Sequence, residues 1–372
     1  MRKKFFLSLL AVPVLLFSCN KSTDNNTNNP PGTAGFDKTA MLTYYADEMV
    51  IPAYTAMQQK LTALQTATDA FVTAPSVSSQ ASLKTAYTEA HLQYERIACF
   101  QFGPAETALL DIFMNFSGSL DYNFNTDGEL TGFSVDTTAI KNNIETGSYN
   151  FTSLTRSSFY TQGFPALNYL LFGSDAVSKM EAKRAAYINA VLARMKSLVD
   201  KVSGEWSGYR STFIGNTQTN VGSPIGNIVN QLAYHMDLMK GPRIGWPFGK
   251  QSGGKVFATK CEAYYAGISA ALAVENLISL KKLYNGNASG KGISDYLIAL
   301  NQASLNTDVL AQFDVAITTL KAIPDPMSDA FTAQASKIDA AYKEVQKLLT
   351  LLKTDVASAT AVQINFMDND GD

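Results

Sequence analysis

Apolar residues recur at intervals of three and four along most of the chain, a period that predicts amphipathic helices and few strands. Leu42, Tyr45, Met49, Ala53, Ala56, Leu61, Leu64 and Phe71 make the first stripe, with Pro52 as its expected kink. After the break at Ala74-Pro75-Ser76, a second stripe runs through Leu83, Tyr87, His91, Tyr94 and Ala98 and stops at Gly103-Pro104. The longest stripe spans Ala182 to Phe213 through Ile188, Val191, Met195, Leu198, Val202, Trp206 and Tyr209. Ile225 to Met239 repeats the pattern, a further helix is expected from Cys261 to Tyr284, and the clearest stripe runs from Ile338 to Val356. Between these, the Gly-, Asn- and Asp-rich residues Asn115 to Val135 are expected to form a surface loop. Gly241 to Gly254, with Trp246-Pro247-Phe248-Gly249, is expected to be a turn region. The pattern predicts an all-α fold of two packed helical bundles, the first over residues 36–175 and the second over 176–372.

The first residues follow a different logic. Arg2, Lys3 and Lys4 precede the apolar run Phe5 to Phe17, which Pro13 interrupts and which falls short of the about 20 residues of a membrane span. Residues 1–18 therefore read as a secretory signal. Leu16-Phe17-Ser18-Cys19 resembles a bacterial lipobox, cleaved ahead of a lipid-modified cysteine, so Cys19 is the expected lipidation site and the membrane anchor. Residues 19–35, rich in Asn, Thr, Ser, Pro and Gly, are expected to be a flexible tether, because they cannot bury enough apolar surface to offset their chain entropy. Asn20, rather than an aspartate, follows Cys19, which favours the outer membrane, on its periplasmic or surface face.

Charge and cysteine count narrow the function. The 30 Lys+Arg fall to 27 without the three cations of the leader, against 32 Asp+Glu, so the basic excess that neutralises phosphates is missing and nucleic acid is not the expected ligand. Three Cys and two His rule out a disulfide framework and a zinc site of four Cys/His ligands unless nearly all are used. Cys99 and Cys261 are free core thiols or a pair; both readings stay open. Asp368-Asn369-Asp370-Gly371-Asp372 fails the calcium-loop pattern, because the sixth-position Gly and the twelfth-position Glu are missing. No Gly-rich phosphate loop and no Gly-x-Ser-x-Gly elbow occurs. The globular part is expected to be monomeric.

Gly163-Phe164-Pro165-Ala166-Leu167-Asn168-Tyr169-Leu170-Leu171-Phe172-Gly173 resembles the signature of the imelysin family, Gly-x-His-x-x-Glu followed by Tyr-Leu-Leu-Phe-Gly. Ile51-Pro52-Ala53-Tyr54, Phe100-Gln101-Phe102-Gly103-Pro104, Glu262 through Asn276, and Val362 to Asp372 are similar to that family's other segments and stand in the same order. The resemblance spans the chain from Phe36. It implies participation in the uptake of iron or another metal ion, as a binding component beside outer-membrane uptake proteins, and it also carries the peptidase activity that named the family. At the family's His and Glu positions this chain has Pro165 and Asn168, which offer no titratable proton and no charge to balance a cation. The segment is therefore expected to bind or pack rather than to catalyse, with Gly163 and Gly173 shaping its backbone, and a structural lipoprotein that has lost the family site is the further alternative.

Other polar positions stand out by their spacing. His91 and Glu95, four apart, face one side of the second helix and are placed to hold a metal ion or a ligand carboxyl group; a surface pair or a hydrogen-bonded core-edge His is the alternative, since two side chains leave a coordination sphere incomplete. Glu262, Ser269 and Asn276 stand seven apart, which keeps them on one face of a helix, either solvated or turned to a cleft. His235, beside Tyr234, Met236 and Asp237, reads as structural. The expected ligand-binding set is Glu95, Gly163, Asn168, Tyr169, Glu262 and Asn276, with His91 and Glu95 as candidate metal ligands.

Overall fold

Three of the long helices begin at a side-chain cap. Ser76 and Ser79 form a reciprocal capping box ahead of the helix Val77–Ile97. The Ser223 hydroxyl accepts from the Gly226 N–H at 3.1 Å, and Pro224 takes the first position of Pro224–Leu238, where a missing N–H costs nothing. Ser269–Asn285 is capped from a distance: Asp325 accepts from the N–H groups of Ala270 and Ala271 at 2.8 and 2.9 Å, which sets a carboxylate at the positive end of the helix dipole.

The computed structural model describes residues 35–116, 123–124, 130–131, 135–287 and 290–366. Cys19, the tether up to residue 34 and Asp368-Asn369-Asp370-Gly371-Asp372 lie outside the described residues. The fold is all-α, as the periodicity predicts. Extended structure among the described residues is limited to two hairpins of two-residue strands, Asn123–Phe124 with Leu130–Thr131 and Gly286–Asn287 with Gly290–Lys291. No helix of the described residues is long and apolar enough to cross a membrane.

Ile51–Thr73 packs on Val77–Ile97 and on Ala182–Gly215, whose 34 residues run about 51 Å at 1.5 Å each. Ala303–Lys321 packs on Ala335–Thr350. Ser269–Asn285 lies against both Val77–Ile97 and Ala303–Lys321 and so joins the two sets. The buried apolar residues form one continuous cluster from Met41 to Val362. Tyr45 ties distant parts of the chain together: its hydroxyl donates to the Leu283 carbonyl at 2.7 Å and accepts from the Ile293 N–H at 3.0 Å, fully buried.

Several expected boundaries move, each for a local reason. At the expected break a π-helical turn, Tyr45–Val50, precedes Pro52, which becomes the second residue of Ile51–Thr73. Residues 239–248 are helical instead of a loose turn: Met239–Gly245 is a π-helical turn continuing Pro224–Leu238, and Trp246–Phe248 follows. The wide turn absorbs Pro242, which can donate no helical hydrogen bond. Asn115 closes a short helix, Leu110–Asn115, rather than opening a loop. The expected helix from Cys261 starts only at Ser269, because Ala263 and Gly267 take positive φ values of 49° and 63° that end any regular turn. Cys99 and Cys261 are both buried free thiols.

Candidate functional site

His91 and Glu95 stand one turn apart on the buried face of Val77–Ile97, at 1% and 0% exposure. The face is buried because Tyr87, Tyr94 and Ile97 share it, and the apolar drive that seats the helix carries the two polar side chains inward with it. The His91 ring stacks on Phe164 at 4.2 Å and 7°, with Tyr87 edge-on at 5.6 Å. Four other elements deliver partners. Arg243 comes from the π-helical turn, Glu262 from the turn before Ser269, Asn276 from Ser269–Asn285, and Asn115 from the end of its short helix.

Arg243 spans two carboxylates. Its Nη1 lies 2.8 Å from Glu95 Oε2 and 3.4 Å from Glu262 Oε2, and its Nη2 donates to Glu95 Oε1 at 3.1 Å. Asn276 Nδ2 donates to Glu95 Oε2 at 2.8 Å, and Asn115 Nδ2 to Glu262 Oε1 at 2.6 Å. His91 Nε2 faces Glu262 Oε1 at 3.5 Å and Glu95 Oε1 at 4.0 Å, and neither ring nitrogen has a well-formed hydrogen bond. Behind Asn276, His235 Nε2 lies 2.8 Å from the Ala98 carbonyl. A carbonyl only accepts, so Nε2 carries the proton and Nδ1 is left to accept from Asn276 at 3.4 Å.

The two carboxylates share one guanidinium, and their acidities are driven apart. Burial, together with the Glu262 charge, raises Glu95 to about 8 against the pull of Arg243. Burial also pushes Glu262 upward, but Arg243, His91 and Asn115 outweigh it and hold Glu262 at about 2. Burial lowers His91 below the ordinary imidazole range, against the opposing hold of Glu262. It lowers His235 to about 3, with Arg243 adding to the effect. Both imidazoles are therefore neutral at pH 7, with lone pairs available.

A cavity of about 40 Å³ adjoins the cluster, lined by Tyr87, His91, Asn115, Asn168, Arg243 and Glu262. Pro165 lines it as well, so both positions at which the chain departs from the Gly-x-His-x-x-Glu pattern border this cavity. Asn168 Oδ1 accepts the Tyr265 N–H at 2.9 Å and so pins the turn that carries Glu262. Gly163 has φ 69°, and a Cβ there would lie 2.3 Å from the Met114 carbonyl oxygen, so only glycine allows this helix to seat against Leu110–Asn115. Gly173 closes the helix, where a Cβ would meet the Tyr169 carbonyl at 2.7 Å. Tyr169 turns away from the cluster: the Arg184 guanidinium lies over its ring, and Tyr265 packs at 5.5 Å.

The structure thus brings together Glu95, Glu262 and Asn276, with His91, and makes Asn168 and Gly163 supports of that group. The seven-residue steps from Glu262 through Ser269 to Asn276 are met without a shared helix, since Glu262 precedes the first turn and its carbonyl accepts from the Ser269 hydroxyl instead. Arg243 and Asn115 are the functional residues that spacing did not reveal. The one signal for Arg243 is a cation set among Met239, Gly241, Pro242, Ile244 and Trp246, where solvent exposure is unnatural. Ligand atoms of His91, Glu95 and Glu262 all lie within 4.8 Å of one another, and bonds of about 2.1 Å place neighbouring ligands about 3.0–3.4 Å apart, so the three would draw together around a metal ion.

Fold and site define an all-helical protein built around a buried cluster of two carboxylates, one imidazole and one guanidinium beside a cavity. The profile of the imelysin family matches residues 50–354, and the chain belongs to that family. A protein from Parabacteroides distasonis described as an iron-regulated protein A precursor shares the fold at TM-score 0.70, with 19% identity over 89% of this chain and 96% of that one. An imelysin-like protein from Psychrobacter arcticum does so at 0.67, with 18% identity over 89% and 97%. No curated protein matches the chain.

Proposed function

We propose that the protein is a lipid-anchored, non-catalytic binding component of the cell envelope that holds a metal ion, iron foremost, at His91, Glu95 and Glu262. The convergence of these three ligand atoms in a buried cluster beside a cavity carries the reading. One imidazole nitrogen and two carboxylate oxygens suit Fe(II), Mn(II) or Zn(II) and leave further coordination positions for a ligand. Asn276 and Asn115, each donating to one carboxylate, would hold those oxygens in place. Pro165 and Asn168 supply no acid or base, which supports binding over peptide cleavage. The description of the Parabacteroides protein as iron-regulated supports iron as the cargo. Cys19 anchors the chain to the outer membrane, beside uptake proteins.

Metal content and thermal shift on the purified chain test this. After chelation, iron or another transition ion is expected to bind stoichiometrically and raise the Tm, and His91→Ala to abolish both effects. A flat response to every ion overturns the reading. Loss of the protein from the membrane fraction in Cys19→Ser tests the anchor.

A further inference from the structure

Net charge is costly to bury, so a buried site tends toward neutrality. With Glu95 protonated, Glu262 and Arg243 balance, and with a neutral His91 the empty site carries no net charge; a cation bound to Glu95 displaces its proton. A divalent cation on His91, Glu95 and Glu262 brings the site to +1. Arg243 cannot step aside to restore balance. It is buried in a closely packed π-helical turn whose Gly241, Pro242, Ile244 and Gly245 are buried too, and a Cβ on Gly245 would lie 2.2 Å from the Lys240 carbonyl oxygen.

Something negative must then enter, and the geometry leaves a place for it. Arg243 lines the cavity beside Asn115 and Asn168, and its Nε has no hydrogen-bond partner. Three protein ligands would leave coordination positions open on a bound ion. We infer that the site takes its metal together with a small oxyanion, carboxylate or carbonate, seated in the cavity between the cation and Arg243. The inference rests on the metal reading above. Size limits the anion: a water needs about 10–15 Å³ of such space, so a cavity of about 40 Å³ holds about three waters, or one anion of the size of carbonate or formate. A polycarboxylate such as citrate does not fit.

Mn(II) is a suitable probe, because its free ion is counted directly by electron paramagnetic resonance. The metal-stripped full chain is titrated with Mn(II) alone and with bicarbonate, formate or citrate. Either small anion is expected to tighten Mn(II) binding by about tenfold in the wild type, and the stronger of the two identifies the source. Arg243→Met, whose two carboxylates alone balance a bound divalent ion, is expected to bind Mn(II) without an anion and to gain nothing from one. Arg243→Lys keeps the charge and the fold, and is expected to keep the anion dependence. Tight wild-type binding that no anion improves overturns the inference and leaves the metal reading standing. Enhancement by citrate alone overturns the small-anion assignment. Failure of every variant to bind Mn(II) under any anion overturns the metal reading, and this inference with it.

Discussion

Glu95→Gln isolates the energetics of the buried carboxylate pair. Glutamine matches the shape of a protonated glutamic acid and removes one titration; its amide nitrogen cannot accept from Arg243 or Asn276, so the variant loses part of those contacts equally at every pH. In the folded protein Glu95 keeps its proton to about pH 8, whereas its ordinary value is 4.5. Between those values the folded state holds a proton that the unfolded state has released. The stability it contributes is fully present below about 4.5 and declines as pH rises toward 8. At about 1.4 kcal/mol per pH unit, the wild type is expected to lose about 5 kcal/mol more than Glu95→Gln across that window. Glu262, held at about 2, acts in the opposite sense at acid pH, where stability falls as it is protonated, and it does so in both proteins. The lowered His91 and His235 likewise act below the ordinary imidazole range in both. Urea denaturation at a series of pH values measures the difference. Parallel stability curves for the two proteins over the window would refute the assignment of a raised Glu95.

Removing the cation is expected to cost more than removing a carboxylate's charge: Arg243→Ala leaves two buried carboxylates facing each other and should destabilise by about 3–5 kcal/mol in urea denaturation at neutral pH. Asn168→Ala deletes the acceptor of the Tyr265 N–H, which should cost about 1–3 kcal/mol and speed hydrogen exchange at the Tyr265 amide ahead of distant core amides. Gly163→Ala demands a side chain at φ 69° and 2.3 Å from the Met114 carbonyl oxygen, and should lower stability by about 3 kcal/mol or more. Burial pushes the Cys99 and Cys261 thiols up to about 12 and about 11, so neither should react with iodoacetamide at neutral pH until the protein unfolds; mass spectrometry of alkylated native protein reads this directly.

The helices were legible because burying a stripe is what makes them helices. Trp206 and Phe213, picked out by the period, are buried in Ala182–Gly215. His91 and Glu95 were legible for the same reason, since four-residue spacing puts both on the face that Tyr87 and Tyr94 bury. Glu262 and Asn276 were found through a spacing that misdescribed their setting: the positive φ at Ala263 breaks the helix, yet the Ser269 bond to the Glu262 carbonyl keeps the two near each other. Arg243 was hidden because a segment with two glycines and a proline reads as a turn. A π-helical turn can absorb a proline only when neighbouring elements stabilise it, and those neighbours are distant in sequence. Asn115 was hidden by the polar run that follows it.

The departure at Pro165 and Asn168 changes what the motif helix does without detaching it from the site. Its first residue, Gly163, admits the close approach to Met114, and the next residue along from Met114 is Asn115, which holds Glu262. Phe164 supplies the plane on which the His91 ring stacks. Asn168 fixes the turn that carries Glu262. Three positions of one helix therefore set the placement of two of the three metal-ligand candidates, although none of the three positions is itself a candidate. Phe164→Ala and Asn168→Ala should accordingly weaken Mn(II) binding while every ligand atom remains in the chain, which is the signature of positioning residues. Equal binding by wild type and both variants would mean that the ligand set is held by its own helix and turns, and that the motif segment only packs.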